Sequence, residues 1–109
     1  MSTAGRRITA RNLTLDAGSG ALHNQGATLQ ATGDASVRGT GVNNQDGVIA
    51  ANGQATVSAG SGVLNNAGGQ TYSTQGALSL SGGSIANASG TVSAATDVRI
   101  SGGSLDNAG

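Results

Sequence analysis

The sequence has no cysteine, proline, phenylalanine or tryptophan, and Tyr72 is its only aromatic residue. Lysine and glutamate are missing as well. Each absence removes a class of answer. Without cysteine there is neither a disulfide framework nor a thiolate metal site. Lysine and glutamate, with leucine, are the residues that lose least entropy in a helix, so their scarcity argues against a helical domain. No run of ~18 apolar residues exists to span a membrane as a helix. The opening MSTAGRRITARNLTL also lacks the apolar run of a signal peptide. A soluble segment is expected, with no membrane insertion and with any export signal outside it.

Charge is sparse and balanced, with five arginines against five aspartates and a formal net charge of zero. No broad basic face results, so nucleic acid is not an expected partner. Arg6, Arg7 and Arg11 cluster near the start and read as a solvated end. Residues 1–7 are accordingly read as an N-terminal lead-in and residues 8–109 as the folded segment. The hydrophobic fraction of 36% with so little charge also argues against a disordered chain.

What fills the sequence is Gly, Ala, Ser, Thr and Asn, nearly two thirds of all residues. They are arranged in a repeat, the first thing to seek in such a composition. Asn24, Asn44, Asn66, Asn87 and Asn107 recur at intervals of 20, 22, 21 and 20 residues. Two places before each stands Leu22, Val42, Leu64, Ile85 or Leu105. Downstream stand Leu29, Ile49, Tyr72 and Val92, then, eight residues further in every case, Val37, Val57, Leu80 and Ile100. That constant interval favours Tyr72 over Thr71 as the inward member. The longer returns both contain AGSG, at 17–20 and 59–62, so insertions fall in connections.

Within each repeat apolar residues alternate with Ser, Thr, Gln or Arg, the period of a half-buried strand. Turn residues divide each repeat into three short strands. Stacking equivalent strands gives a parallel β-helix, an all-β solenoid of about five coils of 20–22 residues. Further columns are then Leu15, Val37, Val57, Leu80, Ile100 and Leu13, Ala35, Ala55, Leu78, Val98. A small-residue column follows at Ala10, Ala31, Ala51, Thr74 and Ala94. Side chains two apart share a face, so the five asparagines are expected to point inward at one corner. An amide both donates and accepts, which permits a structural asparagine ladder, with Asn65 facing out.

The elements of SLDNAG, GTVSAATDVRI and ARNLTLDAG, taken together, suggest a unit LDNAGGxIxAxGDLTL. This unit resembles the haemagglutinin repeats of filamentous-haemagglutinin-like proteins, the large exoproteins of two-partner secretion. These include adhesins and the stalks of contact-dependent growth inhibition effectors. The resemblance spans residues 8–109. It departs where the aspartate kept at Asp34 and Asp97 becomes Asn12, Gln54 and Ala77, and where the Gly-Gly after the asparagine survives only at Gly68-Gly69. The family implies a right-handed parallel β-helix forming an extracellular rod in Gram-negative bacteria, secreted or on the cell surface. It also implies an outer-membrane secretion partner, and a host or neighbouring-cell receptor reached through parts outside this segment.

No residue stands out as catalytic, cofactor-binding or metal-binding, and no enzyme is expected. Glycoside hydrolysis needs two carboxylates within about 5–10 Å. Asp34 and Asp97 share a column three coils apart, ~14 Å at the spacing of stacked strands. His23, the only histidine, is expected on the surface beside Asn43 and Asn65. A repeated Gly-Gly-x-Gly-x-Asp pattern for calcium is missing. The outward column Thr14, Ser36, Thr56, Ser79, Arg99 and its companion Thr9, Gln30, Ala50, Ser73, Ser93 are too mixed for an ice-binding array. Carbohydrate binding along the repeat and end-to-end self-association through open strand edges are the alternative readings.

Overall fold

A computed structural model describes residues 5–103 together with 105 and 106. Every element in it is a strand. The first coil contains β1 (Arg7–Ala10), β2 (Leu13–Asp16) and β3 (Leu22–His23). The second contains β4 (Thr28–Ala31), β5 (Ala35–Arg38) and β6 (Val42–Asn43). In the third are β7 (Val48–Ala51), β8 (Ala55–Ser58) and β9 (Val63–Asn65). The fourth has β10 (Gln70–Ser73), β11 (Leu78–Gly82) and β12 (Ser84–Ala86). The last has β13 (Thr91–Ser93), β14 (Val98–Gly102) and β15 (Leu105–Asp106).

Each strand pairs in parallel with its equivalent one coil away. The result is three five-stranded sheets, β1-β4-β7-β10-β13, β2-β5-β8-β11-β14 and β3-β6-β9-β12-β15. This is a parallel β-solenoid of five coils. Parallel strands cannot be joined by a tight hairpin. Here the remaining two strands of each coil make the crossover, which lets strands of two to five residues build a sheet.

The alternation read from the sequence places one face of the strands of the second, third and fourth coils inside. Leu22, Val42, Leu64 and Ile85 form one buried column, and Leu29 and Ile49 begin another. Leu13, Ala35, Ala55 and Leu78 form a third, beside Val37, Val57 and Leu80. All belong to a single apolar cluster. A leucine buried in this way contributes about 1.5–3 kcal/mol and an alanine far less. Backbone pairing between coils therefore carries a large share of the cohesion.

One strand has a different register from that expected. Thr71, not Tyr72, pairs with Ile49 below and Val92 above. Thr71 is buried, whereas Tyr72 is only half-buried, on the outer face between Ala50 and Ser93. The small-residue column continues through Ser73 instead of Thr74, and the outer companion column carries Tyr72 where Ser73 was expected. The cause is the turn from β10 to β11, which has four residues (74–77) where the second and third coils, with first strands of the same length, have three. The insertion is absorbed there, so the eight-residue interval becomes nine in this coil alone.

Candidate functional site

The most elaborate side-chain arrangement is the corner that follows the third strand of each coil. Asn24, Asn44, Asn66 and Asn87 are all buried there. The Nδ2 of Asn24 donates to Oδ1 of Asn44 at 2.7 Å. Asn44 donates likewise to Asn66 at 2.8 Å, and Asn66 to Asn87 at 2.7 Å. These three amides thus donate toward the later coil, and the chain of bonds has one direction from Asn24 to Asn87. Second contacts reach the backbone of the strand that follows the next asparagine, from Asn44 to the Gln70 carbonyl and from Asn66 to the Thr91 carbonyl, each at 3.2 Å. Thr71 joins the network by donating its hydroxyl to Asn66 Oδ1 at 3.1 Å. No buried side-chain polar atom among the described residues is left without a partner. Asn107 lies outside the described residues.

Each asparagine also opens a four-residue turn. The fourth residue's N–H donates to the asparagine carbonyl at Ala27, Gly47, Gly69 and Gly90, over 2.9–3.2 Å. The third residue has positive φ in every case: 64° at Gly26, 55° at Asp46, 65° at Gly68 and 56° at Ser89. That is the requirement of a type II turn, for which glycine is the usual residue. The fourth position is restricted by space. A Cβ on Gly47, Gly69 or Gly90 would run into the carbonyl oxygen of the asparagine one coil earlier. Aliphatic-x-Asn-x-x-Gly is therefore one geometric unit, in which the amide fills the corner and the glycine lets two backbones meet.

Two neighbours of the ladder support it from outside. Asn43 and Asn65 face away from the core, and their Oδ1 atoms accept from the backbone N–H groups of Gln45 and Ala67 at 3.0 Å. At the corner before each second strand, Asn12 Oδ1 accepts the Asp34 N–H at 3.4 Å. Asp34 Oδ1 in turn accepts the Gln54 N–H at 2.8 Å. The aspartate or asparagine of this column ties one coil to the next. Hydropathy alone did not signal this role, although the recurrence of a short polar residue there did.

The other candidates are dispersed. His23 is exposed, with Asn43 and then Asn65 in its column. Asp34 and Asp97 remain separated by the coils carrying Gln54 and Ala77. Among the described residues no three His, Cys, Asp or Glu side chains converge on a point that could hold a metal ion. No described helix is long and apolar enough to cross a membrane. A cavity of about 380 Å³ lies at the last coil, where Ile85, Asn87, Val92, Val98 and Ile100 line it. Val98 and Ile100, inward by register, are 43% and 40% exposed.

What the geometry does is hold one coil upon the next. Columns recur and corners recur from coil to coil. Neither the curated proteins nor the solved structures offer a significant match to the chain. The sequence model of the haemagglutinin repeat matches twice, over residues 8–82 and 50–109, and together the matches run through all five coils. The chain belongs to the haemagglutinin repeat family.

Proposed function

We propose that the chain is a length of structural rod in a large secreted, cell-surface exoprotein of the filamentous haemagglutinin type. Its work is to carry an adhesive or toxic tip away from the bacterium, and its role is scaffolding, not catalysis. A surface receptor on a host or neighbouring cell is met by other parts of the parent protein. Export runs through an outer-membrane secretion partner. The observation that supports this reading most is the constancy of the coil-to-coil register, which adds length without changing cross-section.

At ~4.8 Å per stacked strand, five coils contribute about 24 Å of length. Removing them in frame from the parent is expected to shorten the projecting fibre by that amount and leave binding by the tip intact. Electron microscopy of the fibre, with a cell-binding assay, checks both. Loss of binding with the tip still present would contradict the scaffold reading and favour a receptor site within these coils.

A second reading, end-to-end stacking of copies, is favoured by the exposure of Val98 and Ile100 on the outermost strand of their sheet. Light scattering on the isolated chain tests it. Growth of mass with concentration would support stacking, and a constant monomer mass would contradict it.

A further inference from the structure

The tetrapeptide AGSG occurs twice, and the two copies form the same turn in different company. Gly18 has φ 63° and Gly60 has φ 60°. Each turn is closed by its last glycine, with Gly20 N–H donating to the Ala17 carbonyl and Gly62 N–H to the Ala59 carbonyl, both at 3.0 Å. In the first turn the Gly18 N–H points at a carboxylate, donating to Asp16 Oδ1 at 2.8 Å. In the second turn the residue two places before the glycine is Ser58. Among the described residues the Gly60 N–H has no acceptor.

The strand register puts Asp16, Arg38 and Ser58 in one outward column, on successive coils. Arg38 is exposed and has no carboxylate within ion-pair distance among the described residues. The second coil lacks the AGSG insertion, so its corner at Gly39-Thr40 sits lower than its neighbours. This leaves a notch of about 330 Å³ between the two projecting turns, lined by Asp16, Gly18, Arg38, Thr40, Ser58 and Gly60, with one oxygen of the Asp16 carboxylate already held by the Gly18 N–H. The Thr40 hydroxyl donates to the Gly18 carbonyl at 3.3 Å and holds the near wall.

We propose that the notch at the Ala59–Gly62 turn is a binding site for a carboxylate carried by an external ligand. The first turn supplies the precedent within the same chain, since the same backbone already holds a carboxylate through Asp16. At the second turn one carboxylate oxygen takes the Gly60 N–H and the other takes the Arg38 guanidinium, whose fork suits a carboxylate. The Ser58 hydroxyl is a third donor. The site is open to solvent, so binding is weak and screened by salt. Nothing in this site depends on the rod reading, and its failure would leave that reading untouched.

The test is an amide-resolved NMR titration of the intact chain at fixed ionic strength. Glucuronate and N-acetylaspartate serve as the two carboxylate probes and sodium chloride as the control. Saturable shifts are expected at Gly60, Ser58 and Arg38 with either probe, while Gly18 stays in place. The stronger of the two responses identifies a sugar-borne or a peptide-borne carboxylate. In Ser58→Asp, which copies the arrangement at Asp16, the Gly60 amide should move toward the Gly18 position and the response should vanish. In Arg38→Gln it should weaken at least several-fold. Unchanged ladder amides in both variants show that the fold is retained. Equal shifts with chloride, equal movement of Gly18, or a response surviving in Ser58→Asp would overturn the site.

Discussion

At the scale of the residue, the asparagine corner shows why a polar side chain belongs in so thin a core. A buried amide left without partners costs about 1–3 kcal/mol for each unmet group. Asn66 meets that demand with two ladder bonds, one to Asn44 and one to Asn87, and with bonds to Thr91 and Thr71. Removing it deletes the ladder bonds to the Asn44 Nδ2, which keeps the Gln70 carbonyl, and to the Asn87 Oδ1. Asn66→Ala is thus expected to lose roughly 2–4 kcal/mol in denaturant unfolding, from four bonds at about 0.5–1.5 kcal/mol each. Asn65→Ala loses only the half-exposed bond to the Ala67 N–H, about 0.5–1.5 kcal/mol. Equal losses would mean that the ladder contributes no more than a surface turn. Ser89 shows the accompanying cost, since it holds φ 56° at a place where two other coils use glycine.

At the scale of the element, strands hold their register and turns absorb differences in length. The four-residue turn 74–77 does what three residues do in the second and third coils. Deleting Gln75 restores the three-residue form, and its effect on thermal unfolding is expected to be small. Deleting Ser79 from β11 instead moves Leu80 to the outer face, because side chains alternate. That chain is expected not to fold, which circular dichroism would show directly. If both deletions behaved alike, the distinction between strand and turn would be wrong.

The same turn explains where the sequence was legible and where it was not. Three columns could be aligned from aliphatic residues alone, and the fold followed from them. In β10 the constant eight-residue interval favoured Tyr72 over Thr71. The inward threonine is acceptable because its hydroxyl has Asn66 Oδ1 to bond. A pairing across the corner of the coil leaves no trace in a hydrophobic pattern. Tyr72 meanwhile gives the outer face bulk: Ala50, on that face between Gln30 and Tyr72, is only 4% exposed. The spacing of the asparagines was visible throughout. The positive φ two places later was only half visible, because Asp46 and Ser89 stand where glycine would have announced it.

At the scale of the whole molecule, the described coils measure 31 × 29 × 21 Å, so this length of solenoid is hardly longer than it is wide. Elongation belongs to many such units in series. In a repeat architecture, stability is approximately a sum of coil terms and nearest-neighbour terms, and a coil removed whole should leave a shorter, weaker, still folded solenoid. The direct test is thermal unfolding, followed by circular dichroism, of a chain from which residues 45–66 are deleted so that Asn44 is joined to Ala67. The account predicts a strand spectrum and one cooperative transition at a lower temperature than in the full chain. A chain without a folded baseline would contradict the claim that the coils are equivalent units stacked through one corner ladder.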